Sequence, residues 1–152
     1  MEISIRRANL QDCDVLMAWR NDRETVQASR VQHQVTRAEH EIWLTSTLAN
    51  EECFLLIAEH KNEAIGTVRF DPRSELRDYE VSITLAPEAR GKGLAASILE
   101  RSQDWLISQV SVSTLYAFVQ NHNASSLALF RKSGYRSVPD AASHGQWLMK
   151  SY

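Results

Sequence analysis

The chain has 152 residues, a formal net charge of −2, 43% hydrophobic residues and 24% charged residues. That length carries one domain with its own core. The mildly acidic balance gives no general attraction to nucleic acid or to an anionic membrane surface, so any anion must be held locally. No apolar run approaches the length of a membrane span, and the opening MEISIRRANL lacks the apolar stretch of a secretion signal. Cys13 and Cys53 are isolated and the five histidines form no HExxH pair, so no protein-held metal and a reducing, cytoplasmic setting are expected.

No repeat, linker or low-complexity tract interrupts the chain, so residues 1–152 read as a single domain. ISIRRA alternates as a strand. Asn9 caps a helix over residues 10–20, with Asp12 in its first turn and Val15, Leu16 and Trp19 as its apolar stripe. Thr36-Arg37-Ala38-Glu39 is a capping box that opens a helix to about residue 49, with Ile42, Trp43 and Leu48 as its expected buried side. The period then changes. CFLLIAEH reads as a buried strand, KNE as a turn and AIGTVRFD as its hairpin partner. RDYEVSITLAP is a third strand that turns Tyr79, Val81, Ile83 and Leu85 one way and Glu80, Ser82 and Thr84 the other. Pro87 ends it, because proline has no N–H for the ladder. A helix runs from residue 93 to about 108, TLYAFV is a strand, ASSLALFRKSG a short helix closed by Gly134, and GQWLMKSY a final strand. The order predicts an α+β domain, a mostly antiparallel meander leading into one βαβ crossover.

The chemistry concentrates in Arg90-Gly91-Lys92-Gly93-Leu94-Ala95. A Walker loop fails here, because Lys92 is followed by Gly93 and Pro87 stands where a glycine belongs. Gly91, Gly93 and Ala96 match a dinucleotide GxGxxG/A pattern. The next strand nevertheless ends Val119-Gln120-Asn121, without the carboxylate that holds a ribose. A third reading uses the whole stretch: glycines let the backbone approach an anion, and the unpaired N–H groups of the first helical turn point at it. The plain alternative is a tight strand-to-helix turn that uses glycine for geometry alone.

LAPEARGKGLA resembles the acyl-CoA loop of the GNAT N-acetyltransferases, R/Q-x-x-G-x-G/A, through Arg90, Gly93 and Ala95. VQNHNASSLALFRKSGYR resembles that family's second segment through Val119, Asn123, Leu129, Lys132 and Gly134, with Ser126, Phe130 and Tyr135 replacing the usual alanine, tyrosine and phenylalanine. The resemblance covers nearly the whole chain. It implies a GNAT-like, mostly antiparallel central sheet flanked by helices, with two central parallel strands splayed apart. It also implies acetyl-CoA as cosubstrate. Its diphosphate would sit on Arg90, Gly91, Lys92, Gly93, Leu94 and Ala95, and its pantetheine arm would bond backbone at Ile83 and Leu85. Asn123 would touch that arm from the far side, or cap the following helix, or do both. Phe130 would line the cofactor. Dimers are common for this fold, so a homodimer is expected by analogy.

Transfer to an amine needs an uncharged nitrogen and hence a base. Glu80, on the polar side of the cofactor strand, is the candidate, against a plain solvated carboxylate; His33 and His40 are weaker ones. The family's acid is often a tyrosine where this chain has Phe130, which leaves Tyr116, Tyr135, Ser125 or a water for that role. MAWRNDRET, TRAEHEIWL, IGTVRFD and YEVSITLAPEARGKGLA together resemble the PseH-like members, which acetylate the 4-amino group of a UDP-linked amino sugar, and less closely the RimJ/RimL-like enzymes of protein N-termini. For a nucleotide sugar, Trp19 and Trp43 offer ring faces unless they are core, and Arg20, Arg30 and Arg69 can meet phosphates. For a peptide amine, Glu24, Glu39 and Glu41 can line a groove. A non-catalytic acetyl-CoA-binding module is the remaining alternative.

Overall fold

The computed structural model describes residues 2–29, 33–141 and 144–152. The elements run β1 (Ser4–Arg7), a 3₁₀ turn (Leu10–Asp12), α1 (Cys13–Asn21), α2 (Arg23–Ala28), α3 (Arg37–Ala49), β2 (Phe54–His60), β3 (Glu63–Pro72), β4 (Asp78–Leu85), a 3₁₀ turn (Pro87–Ala89), α4 (Leu94–Gln109), β5 (Thr114–Gln120), α5 (Ala124–Lys132), β6 (Arg136–Ala141) and β7 (Gly145–Ser151). They form one seven-stranded sheet in the order β1-β2-β3-β4-β5-β7-β6. Among the described residues only β4 and β5 pair in parallel; the other neighbours are antiparallel.

Local chemistry explains the boundaries. Asn9 and Asp12 form a capping box, and Asp12 also binds the Arg6 guanidinium at 2.8 and 2.9 Å. The Thr36–Glu39 box opens α3 as the sequence indicates. Lys61 and Asn62 take left-handed backbone angles and close the β2–β3 hairpin in two residues, as a primed turn requires.

Strand alternation divides the core between the two faces of the sheet. Leu56, Val68, Phe70, Val81, Leu115 and Leu148 meet Ile98, Leu99 and Leu106 of α4 on one face. Leu55 and Ile57 meet Leu16 and Trp19 of α1 and Leu44 of α3 on the other.

The structure corrects three expectations. Ile42 is 71% exposed; the buried stripe of α3 is His40 and Leu44, with Trp43 and Leu48 packed beside it. At about 100° per residue, Ile42 stands nearly opposite both His40 and Leu44. A third N-terminal helix, α2, follows α1 and is capped by Asp22 on the Thr25 N–H. β6 pairs with β7 at the sheet edge, where Pro139 is tolerated because no outer neighbour needs its N–H.

Candidate active site

β4 and β5 pair only at Asp78↔Thr114, Tyr79↔Leu115 and Glu80↔Tyr116. Beyond Glu80 each strand stays fastened to its outer neighbour: β4 to β3 as far as Leu85↔Gly66, and β5 to β7 as far as Gln120↔Gly145. The sheet therefore opens as a wedge between two intact halves. Ala86 N–H donates to Ile65 O at 2.9 Å, so the even-numbered main-chain groups of β4 face β3. By alternation the odd-numbered groups face β5, and beyond the last pair at Glu80↔Tyr116 those of Ile83 and Leu85 face the wedge. Ile83 and Leu85 thus present their main-chain groups to the opening.

At the wedge mouth the chain turns through Pro87–Ala89 into α4. Gly91 and Gly93 have φ of +73° and +71°, the left-handed region that glycine enters without strain. A Cβ at either would meet no atom within 4 Å, so both face open space. Gly93 is the N-cap of α4 and offers no side chain, which leaves the first-turn N–H groups of Leu94 and Ala95 uncapped. Lys92 is exposed beside them. Arg90 differs from expectation: its N–H donates to Pro87 O at 3.3 Å and its guanidinium is engaged by acids, with Nη2 2.7 Å from Asp22 Oδ2 and Nη1 3.1 Å from Glu24 Oε2. Asn123 caps α5, accepting from Ser126 N–H at 3.2 Å.

Glu80, Ser82 and Thr84 lie opposite the α4 face, in register with Asp71, Arg69 and Thr67 of β3. Glu80 is also level with Tyr116, the last pair before the strands part. Arg69 Nε is 2.7 Å from Asp71 Oδ2, and its guanidinium lies 5.7 Å from the Trp43 ring centroid. Burial, and then the charge of Arg69, lower the Arg20 pKa. The sequence reading missed Arg73, whose guanidinium sits 4.1 Å from the Tyr116 ring and 4.6 Å from the Trp147 ring. No local pattern announces it, because β4, β5 and β7 bring its partners together only in space.

Trp19 is 4% exposed within the core and has no free ring face for a ligand, whereas Trp43 is half-buried over Arg69. Arg30 lies outside the described residues. His40 is buried against Trp43, and burial lowers its pKa, so it stands in the packed core of α3 and not at the opening. His33 is exposed. Phe130 is buried edge-on against Tyr135, with ring centroids 5.0 Å apart, so it is a core residue and does not line an open cleft. Tyr135 is also buried and donates its hydroxyl to Gln103 Oε1, and burial raises its pKa further. Ser125 donates to Asn123 Oδ1. Of the side-chain acids considered, Tyr116 alone stands beside Glu80.

A hollow of about 740 Å³ lies elsewhere, between the turn after β1 and the end of α3, lined by Asn9, Leu10, Leu48 and Cys53. Among the described residues no group of three or more His, Cys, Asp or Glu could hold a metal, and no helix is long and apolar enough to cross a membrane.

A splayed parallel pair beside an uncapped, glycine-led helix N-terminus defines an acetyltransferase fold of the acyl-CoA-dependent class. Residues 2–136 match the Acetyltransferase (GNAT) domain, and the chain belongs to that family. It is 30% identical over 100 residues to the uncharacterized N-acetyltransferase YhfO of Bacillus subtilis, a match that spans 62% of this chain and 66% of that protein. Spermidine N-acetyltransferase from Vibrio cholerae, solved with CoA and spermine, has the same fold, with a TM-score of 0.85, 17% identity and coverage of 98% and 95% of the two chains. So does aminoglycoside acetyltransferase AAC(6')-Ib, solved with coenzyme A, with a TM-score of 0.82, 17% identity and coverage of 99% and 95%.

Proposed function

We propose that this chain moves an acetyl group from acetyl-CoA to a primary amine, and that the acceptor is the 4-amino group of a UDP-linked amino sugar. One observation carries the transfer reading: a three-pair parallel ladder that opens beside unprotected helix N–H groups. The amides of Gly91, Lys92, Gly93, Leu94 and Ala95 receive the diphosphate. The pantetheine arm pairs with Ile83 and Leu85 along the open edge of β4, and Asn123 flanks it from α5.

The thioester then lies near Glu80 and Tyr116. Glu80 accepts the ammonium proton, directly or through water. The freed nitrogen attacks the thioester carbonyl, the C–S bond breaks, Tyr116 donates its phenolic proton to the leaving thiolate, and the second proton lost by the acylated nitrogen returns to the Tyr116 phenolate, directly or through water.

The acceptor assignment rests on charge and ring faces. On the Glu80 face Arg69 stands by the Trp43 ring and is paired with Asp71, and Arg73 stands over the Tyr116 and Trp147 rings. Guanidiniums beside aromatic rings suit a diphosphate and a uracil. The spermidine and aminoglycoside enzymes act on polycations, which this arginine set disfavours. The peptide reading loses support as well. Glu24 is engaged by Arg90, Glu39 by the N–H of Thr36, and Glu41 by Arg37.

The test is acetyl-CoA titration followed by thiol release with a UDP-4-amino sugar, spermidine, kanamycin and a peptide amine. Gly93→Asp places a carboxylate in the open space before α4, and Gly93→Asn gives the same backbone demand without charge. Asp is expected to weaken acetyl-CoA about tenfold or more relative to Asn, by repulsion within the helix-terminal anion site. Equal affinities would remove the diphosphate from this loop, and turnover of peptide or polyamine alone would remove the sugar.

A further inference from the structure

The short helix α2 is tied to both arms of the wedge. At its start, Arg90, just beyond β4, donates Nη2 to Asp22 Oδ2 at 2.7 Å and to Thr25 Oγ1 at 3.1 Å, and Nη1 to Glu24 Oε2 at 3.1 Å. At its end, Gln120, the last residue of β5, donates Nε2 to Ser29 O at 3.2 Å, and His122 Nε2 lies 3.2 Å from Gln27 O. β4 and β5 part toward their C-termini, so these two sets of bonds stand on opposite sides of the opening. A helix of six residues spans about 9 Å at ~1.5 Å per residue. That equals about two inter-strand spacings of ~4.8 Å, the width left by one missing strand.

The chemistry of the Arg90 end bears on its role. The Arg90 side chain is 28% exposed and Asp22 22% exposed, and the hydrogen bond from Arg90 is the main cause that lowers the Asp22 pKa. Two carboxylates already face this guanidinium, so it offers no surplus positive charge to a diphosphate. Asp22 also caps α2, so one carboxylate sets both the start of the helix and its attachment.

We propose that α2 is a crossbar over the mouth of the wedge, and that Arg90 and Asp22 are positioning residues that fix the acceptor side of the site to the cofactor loop, with Arg90 not a diphosphate ligand. This rests on the reading that the loop at 91–95 and the wedge receive acetyl-CoA.

The experiment compares wild type with Arg90→Gln, Arg90→Lys, Asp22→Asn and the Arg90→Gln/Asp22→Asn double variant. Asn keeps a capping oxygen at position 22 and removes the charge. Amide exchange over residues 23–28 is read with and without saturating CoA, alongside CoA titration. Arg90→Gln and Asp22→Asn should each speed exchange about fivefold, the double variant no more than either, with Lys at position 90 restoring part of the protection. The difference should persist in CoA, and CoA affinity should stay within about threefold of wild type. With the UDP-4-amino sugar as acceptor, KM for the sugar should rise more than KM for acetyl-CoA. The proposal is overturned if Arg90→Gln weakens CoA tenfold while Asp22→Asn does not, or if CoA itself speeds α2 exchange to the Asp22→Asn level. A chain that bound no CoA would sink the acetyltransferase reading by itself. Exchange in the ligand-free protein would still decide the crossbar.

Discussion

Glu80 and Tyr116 are neighbours because the β4–β5 ladder makes its last pair there, and both side chains leave the sheet on the face opposite α4. One residue further along β4, Val81 turns into the core; one residue back, Tyr79 does the same. The apex of the wedge is thus the point where the open channel and the polar face meet. Removing the two groups should have separable effects. Glu80→Gln should lower kcat about 10² to 10⁴-fold at neutral pH, with the loss shrinking as pH rises and the amine deprotonates without help. Tyr116→Phe should slow departure of the thiolate and lower kcat while leaving acetyl-CoA affinity in place. A pH–rate profile unchanged by either substitution would dismiss that residue from proton transfer. Phe130 takes part in neither proton transfer: its ring is packed against Tyr135 in the core.

At the scale of elements, α3 links a sequence pattern to a pH effect. His40 is 3% exposed on the buried stripe of the helix, its ring tilted against Trp43, and burial depresses its pKa below the ordinary 6.5. The unfolded chain therefore holds that proton more tightly than the folded one. The associated stability is present above about pH 6.5 and is lost as pH falls through the depressed folded value. Urea unfolding at pH 7.5 and 5.0 should show a loss in wild type that is smaller in His40→Leu; equal losses would assign the acid effect to other groups. The same helix shows what the sequence could carry. Its capping box was legible because a cap is a matter of local spacing. Its buried side was misjudged at Ile42, where an apolar side chain stands off the stripe and leaves a histidine in the core. The alternation of YEVSITL was legible for the same local reason, and so were the glycines that demand left-handed backbone. α2 was not legible, since RETVQA has no buried residue and draws its hold from Arg90, Gln120 and His122 far along the chain. Arg73 was hidden likewise, because its aromatic partners lie on other strands.

Over the whole molecule, the sheet consists of two well-knit halves joined at the Asp78–Glu80 ladder and by the α4 side of the core. That arrangement leaves one set of backbone groups without strand partners and makes a prediction at single-residue precision. In β4 the N–H groups of Ser82 and Thr84 face β3, whereas those of Ile83 and Leu85 face the wedge beyond the last pair with β5. Acetyl-CoA that pairs along this edge should slow exchange at Ile83 or Leu85 and leave Ser82 and Thr84 nearly as they were. A ligand that binds only the folded chain also stabilises it, by about 2.7 kcal/mol at a hundred times its Kd. For a domain of this size that raises Tm by about 5 to 10 °C. ADP carries the diphosphate without the arm. At the same multiple of its own Kd it should give a comparable rise in Tm but no odd-residue protection on β4. Protection spread evenly over residues 81–85 would mean that the ligand stiffens the sheet from outside; protection confined to the odd positions would put it between the strands.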